Sequence, residues 1–512
     1  MSFDPNNMKE EIVPKRNWSQ FQQNFFRFVL DDEDSCLLEA VAGSGKTTTI
    51  VHAAGIAKGR TAFLAFNRSI ADNLRSKVPN AYTFHSFGMS VLRDTSMRFN
   101  KQKLSEMYKR HGGANYSHIF SQVRRLVDLA KGNAFGINYP STRDDFIDLV
   151  DTFNIDFKTD DDERAAITIA KFMLEASTED NVSEYDFSDM LYLPVKFNLP
   201  FPSQFHNILV DEAQDTAPIQ RYFLDKMLLA NGRVFAVGDT HQAIYGFRGA
   251  DSNAMHSIKE HFNAFELPLS ICYRCPTKVI ELAQQIVPQI VAAPNAIEGI
   301  VNMSSEVPDI ATLTPNDLLI CRNNAPLMGV ALEFLRRRLP MTLLGDFGEI
   351  LTNFIRSFKT NDIQTFENKL NAWYRKENER LTREKRWNRL GAIRDRYESI
   401  QILIPGHKDV LDMTITLSKI FTPAVGPTIS SIHRAKGSEA DRVYIIEPEL
   451  MPSKYARLEW EKEQEENLRY VAITRAKKEL HFCYAEMEND DEEISEDNRP
   501  NDFEVKGGDN NG

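Results

Sequence analysis

Nowhere in the 512 residues does an apolar run approach the roughly 18 residues that a membrane-crossing helix needs. The opening MSFDPNNMKEEIVPKRNW is polar and lacks the apolar stretch of a secretion signal. Cysteine is scarce, and its five copies (Cys36, Cys272, Cys275, Cys321, Cys483) are scattered. An odd number excludes a full disulfide framework and fits a reducing compartment. Cys272 and Cys275 form a CxxC without a second pair, so both read as packing residues, not zinc ligands. Positive charge is also in deficit: 61 Lys and Arg stand against 73 Asp and Glu, a net of −12. Nine of those twelve net charges fall between Glu486 and Gly512, so the rest is nearly balanced. A globally basic nucleic-acid binder is thereby excluded; a local basic groove is not. No internal repeat is present.

What the chain does contain is an ordinary supply of core material, 42% hydrophobic and 10% aromatic residues, over a length that calls for two to four domains. An amphipathic stretch, FQQNFFRFVL, precedes the turn-rich DDEDS. Then CLLEAV, AGSGK and TTTIVHAAGIAKG read as strand, glycine loop and helix, the opening of a nucleotide-binding α/β unit. Further short apolar runs follow at intervals: TAFLAF, NILV, VFAVGD, DLLICR, RVYIIE and ELHFCYA. Runs of this kind, several of them followed by helical patterns, imply parallel sheets covered by helices on both faces. Residues 91–189 and 346–414 break the rhythm with charged, helical patterns and read as inserts. The tail 486–512 is poor in apolar residues and is expected to be disordered.

Three clusters carry chemistry. In Ala40-Val41-Ala42-Gly43-Ser44-Gly45-Lys46-Thr47-Thr48, a glycine-rich loop at a helix start offers backbone N–H groups to phosphates. Lys46 would reach the β- and γ-phosphates and the Thr47 hydroxyl a Mg2+ ion. In ILVDEAQD an apolar strand ends in two acids; Asp211 suits the metal, and Glu212 suits orientation of an attacking water. In VGDTHQAIYGFRGA, Gln242 is placed to sense the γ-phosphate, and Tyr245 and Phe247 offer stacking faces to bases.

AVAGSGKT, ILVDEAQD, VGDTHQAIYGFRGAD, SICYRC, SIHRAKGSEAD and ENLRYVAITRA resemble, in this order, the helicase motifs of the UvrD/Rep/PcrA group of superfamily 1. The resemblance runs from about Gln22 to Tyr484 and implies two RecA-like parallel-sheet motor domains of α/β class, each with a mainly helical insert. On that reading the first motor domain comprises 1–90 and 190–268, with 91–189 inserted. The second comprises 269–345 and 415–485, with 346–414 inserted. Gln22 resembles the residue that reads adenine, with Gln20 as the alternative. Tyr273 resembles the ring that stacks on adenine, Arg274 a γ-phosphate contact, Glu439 a ribose contact and Arg475 an arginine finger. His433 and Lys436 lie where DNA and nucleotide signals meet. Phe66-Asn67-Arg68 and Thr83-Phe84-His85-Ser86-Phe87 resemble segments that grip single strands. Two departures stand out: Cys272 replaces the family's usual asparagine, and the second insert has only about 70 residues. No nuclease-like segment follows Tyr484, so a fused nuclease is not expected.

The resemblance implies an ATP- and Mg2+-dependent 3′–5′ motor on single-stranded DNA and single/double-strand junctions, in repair, recombination or replication. It would work in the cytoplasm, on a nucleoid or in a nucleus. A true helicase, a translocase that strips proteins without efficient unwinding, and a nucleotide-gated loader all remain open, as does an RNA track. The acidic tail could recruit a protein partner or keep the chain soluble.

Overall fold

The computed structural model describes residues 18–484 apart from 66–70, 73, 76–77, 79, 112, 154, 156, 158, 180–181, 245–252, 346 and 423. The expectations for Phe66, Asn67, Arg68, Tyr245, Phe247 and the acidic tail lie outside the described residues.

Two six-stranded parallel sheets organise the chain. The first contains β1 (Cys36–Ala40), β2 (Thr61–Leu64), β3 (Ala81–Tyr82), β4 (Phe205–Val210), β5 (Leu228–Gly238) and β6 (Phe265–Leu269), in the order β3-β2-β4-β5-β1-β6. The second contains β7 (Ile300–Ser305), β8 (Asp317–Cys321), β9 (Thr342–Leu343), β10 (Thr428–Ser431), β11 (Ala440–Ile446) and β12 (Ala476–Cys483), in the order β7-β12-β11-β8-β10-β9. The strand runs read from sequence all fall on these strands. A parallel strand covered by helices on both faces has no solvent side, which is why LLICR and VYII are unbroken rather than alternating. Every residue of β8 is buried.

Parallel neighbours require crossovers, and the helices supply them. α1 (Gln20–Asp31) is set by a capping box: the Ser19 hydroxyl accepts from the Gln22 N–H, and the Gln22 amide oxygen accepts from the Ser19 N–H. α2 (Lys46–Ile56) and α3 (Phe84–Arg93) follow β1 and β3. Between β3 and β4 the chain is largely helical, with Phe120–Gly132 and Asp160–Ala176 among its helices. Between β9 and β10 lies a hairpin of two longer helices, α4 (Ile363–Arg383) and α5 (Trp387–Leu403). α6 (Glu459–Ile473) leads into β12.

Candidate nucleotide site and nucleic-acid face

In open α/β sheets, ligands collect beyond the carboxyl ends of the strands. Four neighbouring strands, β4-β5-β1-β6, deliver Asp211 and Glu212, Asp239 and Gln242, the 41–47 loop, and Tyr273 and Arg274 to one edge.

The loop after β1 has the geometry its glycines predict. Gly43 and Gly45 have φ of +67° and +80°, a region that side-chain-bearing residues avoid. A Cβ on Gly43 would lie 2.6 Å from the Arg274 Cβ and 2.9 Å from the Cys272 Sγ. Ser44 is buried, and its hydroxyl has no hydrogen-bond partner. A buried, unpartnered polar atom in a loop rimmed by backbone N–H groups fits an anion-binding loop. Thr47 donates its hydroxyl to Asp211 Oδ2 at 2.9 Å, so the two oxygens expected at Mg2+ are already together. Thr48 is half-buried in the first turn of α2. Gln22, not Gln20, turns inward: its amide donates to Thr49 Oγ1 at 2.8 Å, whereas the exposed Gln20 bonds Asn24.

Charge is concentrated under the loop. Lys46 Nζ stands 3.7 Å from Glu212 Oε2. Burial alone would lower the Lys46 pKa, but Glu212, Asp239 and Asp211 together hold it above the ordinary value. Burial, and then the Glu212 charge, raises Asp211 to about 6. Burial works against Glu212 too, yet Lys46 and Lys436 outweigh it and hold that carboxyl below its ordinary range. A proton taken up by the pair therefore sits on Asp211 and leaves Glu212 ionised. Glu212 also adopts a left-handed backbone, φ +53°, the kind of local strain that functional sites retain. Gln242 donates to Asp239 Oδ2 at 2.5 Å, so its amide rests against the strand edge.

The second sheet meets this edge with its amino side. Glu439 and Arg475 immediately precede Ala440 and Ala476, which are register partners in β11 and β12. Arg475 is buried and donates to three neutral acceptors: the carbonyls of Val471 (2.9 Å) and Ser438 (3.1 Å) and Thr474 Oγ1 (3.2 Å). Burial, then Arg274, pushes its pKa down to about 10. Arg274 donates to Glu439 Oε2 at 2.7 Å, and Lys477 lies 2.6 Å from Glu439 Oε1. The expected ribose contact is thus engaged by two cations. Tyr273 is 48% exposed, and its N–H bonds the Gly43 carbonyl at 2.9 Å. Cys272 and Cys275 are buried, as expected of packing residues.

Three contacts join the two sheets beside the loop. The Ala42 N–H donates to Tyr470 Oη at 2.9 Å. Lys436 donates to Asp215 at 2.7 and 2.8 Å and to the Gln242 carbonyl at 2.8 Å. Asn467 reaches the Ala243 carbonyl at 3.3 Å. Sequence reasoning missed Tyr470: a tyrosine inside ENLRYVAITRA looks like helix packing until α6 is laid against the loop.

The nucleic-acid residues divide. Thr83 has a local task, accepting from the Ser86 N–H as the N-cap of α3. His85 stacks on Phe187, centroids 4.2 Å apart and planes 15° from parallel, with Phe187 60% exposed. Burial lowers the His85 pKa to about 4, so its ring is neutral. Phe187, hidden in YDFSDM, was not singled out from sequence. His433 lies elsewhere, at the carboxyl edge of the second sheet, in a cleft that also contains Arg322.

Residues 19–263 match the UvrD/REP helicase N-terminal domain, and residues 360–487 match the UvrD-like helicase C-terminal domain. The chain belongs to the UvrD/REP helicase family. Within that family it is 29% identical over 293 residues to a probable DNA helicase II homolog of Mycoplasma pneumoniae, covering 50% of this chain and 40% of the relative. It is 35% identical over 156 residues to the ATP-dependent DNA helicase srs2 of Schizosaccharomyces pombe, covering 30% of this chain and 17% of the relative. These matches span less than half of either relative. Among solved structures it is similar to the Arterivirus nonstructural protein 10 helicase, with a TM-score of 0.33 and 13% identity over 89% of this chain and 60% of that one, a loose likeness.

Proposed function

We propose that this chain is an ATP-hydrolysing motor on single-stranded DNA that separates strands with 3′–5′ polarity, in repair, recombination or replication. The observation that carries the reading is the meeting of Lys46, Glu212, Arg274 and Arg475 on one cleft between two parallel sheets. ATP in that cleft would place its phosphates on the loop N–H groups and Lys46, with the adenine near Gln22 and Tyr273. Thr47 and Asp211 would hold Mg2+, which when bound neutralises charge on the β- and γ-phosphates. Ionised Glu212 orients the attacking water and accepts its proton. Arg475, held on neutral carbonyls, keeps its full charge for the γ-phosphate, and Arg274 can exchange Glu439 for the same group. Loss of that phosphate removes the anion shared by the two sheets and favours their separation. His85, Phe187 and His433 would contact the strand, and stacking on the first two tolerates any base.

The test is strand displacement on duplexes bearing a 3′ or a 5′ single-stranded tail, with ATP and Mg2+, beside Lys46→Ala. Unwinding from the 3′ tail alone, lost in Lys46→Ala, supports the proposal. Unwinding from the 5′ tail, or hydrolysis indifferent to Lys46, overturns it. The short α4–α5 insert favours one second reading, a translocase without efficient unwinding: DNA-stimulated hydrolysis would then persist while no strand separates.

A further inference from the structure

The nucleotide cleft lies at the amino edge of the second sheet, which leaves that sheet's carboxyl edge, the usual place for a ligand, to be accounted for. A cleft of about 610 Å3 occupies it. Three separate parts of the chain build it. The loops after β8, β10 and β11 form the floor; α5 forms one wall; Thr152 and Phe153, from the helical segment between β3 and β4, form the other.

The α4–α5 hairpin is fixed firmly to the second sheet's side. The Asp395 carboxylate accepts from the backbone N–H groups of Asn324 (2.8 Å) and Ala325 (2.9 Å) and from the Asn324 amide. Tyr374 and Tyr397 stack across the two helices at 4.1 Å, and Leu381, Leu390 and Ile393 close a small core of their own. The hairpin's turn then reaches away from this base to the other sheet's insert. Arg380 donates to the Phe157 carbonyl at 2.9 Å. Arg386 donates to the Ile155 carbonyl at 3.1 Å and to Glu163 Oε2 at 3.2 Å. Two arginines thus bolt the hairpin across the cleft, on the side remote from the nucleotide.

We propose that the short second insert closes this cleft into an enclosed passage for a single nucleic-acid strand, with Arg380 and Arg386 as the closure. The proposal rests on the motor reading above. The lining suits a strand: Arg389 and Lys454 supply cationic groups, His433 a polar ring, and Phe153, Tyr455 and Trp460 further rings. Of the acids that share the cleft, Glu449 is exposed, while Asp395, Glu398, Glu461 and Glu465 are engaged by the protein itself. Glu465 grips Arg322 through three bonds of 2.7–3.0 Å and accepts from the Ser453 N–H, and Glu398 holds Arg394 at 2.6 Å. On the opposite wall Arg125 donates to the Phe153 carbonyl at 3.3 Å, near enough to Arg389 for the two charges to repel. Enclosure, unlike an open groove, retains a strand topologically.

The experiment uses the full chain with Glu163→Cys and Arg386→Cys, joined by a short bismaleimide; the five native cysteines are buried. The protein is loaded on circular or linear single-stranded DNA, cross-linked, and challenged with high salt and competitor oligonucleotide. Enclosure predicts retention on the circle with release at least about tenfold slower than from the linear strand. It also predicts that protein cross-linked before loading binds linear but not circular strands. Equal release from both overturns the passage while leaving the motor reading intact. Wild-type protein that binds neither strand overturns both. Should the cysteine variants misfold, Arg386→Glu serves: it should shorten retention on the circle, and adding Glu163→Arg should restore it. Unchanged retention in Arg386→Glu overturns the proposal.

Discussion

Glu39 lies on β1, the strand that leads into the phosphate loop, and holds the loop after β5 through Thr240, whose N–H and hydroxyl donate to its two oxygens at 3.0 and 2.9 Å. Burial, reinforced by Asp239 and Glu266 against the Thr240 bonds, raises its pKa from an ordinary 4.5 to about 7. A raised carboxyl favours the protonated form in the folded chain. Its stabilising effect is therefore complete below pH 4.5 and is lost as pH rises through 7. At about 1.36 kcal/mol per pH unit, ionised Glu39 costs the fold on the order of 3 kcal/mol at pH 8. Glu39→Gln removes that cost while its carbonyl still accepts from the Thr240 N–H and its amide donates to the hydroxyl. At about 2–4 °C per kcal/mol for a domain of this size, the variant should melt roughly 6 °C or more above wild type at pH 8. The two should converge near pH 4.5. Thermal melts across pH 4.5–8.5, read as the difference between the two proteins, cancel the other titrating groups. A gain that is the same at both ends, or a loss at pH 8, would refute the reasoning.

Tyr470→Phe strips the acceptor from the Ala42 N–H and should lower stability by about 1–3 kcal/mol, with weaker ATP binding measured by calorimetry. Lys436→Ala leaves buried Asp215 facing no ammonium and should cost about 3–5 kcal/mol, recovered in part by Asp215→Asn in a double-mutant cycle of urea melts. Gly88→Ala would drive a Cβ to within 2.0 Å of the Met190 carbonyl, so α3 must shift; a loss of about 1–3 kcal/mol is expected in the same melts. Gly43→Ala combines a left-handed φ with contact at Arg274 and should abolish ATP binding while leaving the circular dichroism spectrum native.

Local chemistry made part of this molecule readable in advance. AGSGKT announces itself because a turn that wraps phosphate needs glycine at the left-handed positions, and Gly43 and Gly45 occupy them. DEAQD is legible because an apolar run must end where carboxylates begin. Ser19 and Gln22 form a capping box that separates Gln22 from Gln20 only once the helix is built, since both glutamines fit the pattern equally. Thr83, read as a strand grip, shows the opposite difficulty: Thr-x-x-Ser before an apolar run is also a helix start, and the hydroxyl caps α3. What could not be read depends on partners hundreds of residues away. Tyr470 meets Ala42, and Arg386 meets Ile155, only because two sheets and two inserts pack together.

The charge arrangement links the two ends of the second sheet. At its amino edge Arg475 is buried on neutral carbonyls, a poor resting place for a guanidinium but one that leaves its charge available. Arg274 rests instead on Glu439, so on the proposed reading an arriving γ-phosphate would compete with a carboxylate for one arginine and not for the other. On the proposed reading, Arg475 therefore supplies a standing attraction from the second sheet, and Arg274, already beside the loop, a contact formed only when the phosphate draws it off Glu439. Lys436 connects that event to the far edge. It follows β10 three residues after His433, and it holds Asp215 and the Gln242 carbonyl of the first sheet. A change in the sheet-to-sheet gap that moves Lys436 must also move His433 in the cleft proposed for the strand. If the proposed motor and passage hold, coupling between hydrolysis and strand movement needs no long relay: one short segment, Ile432–Lys436, touches both proposed sites.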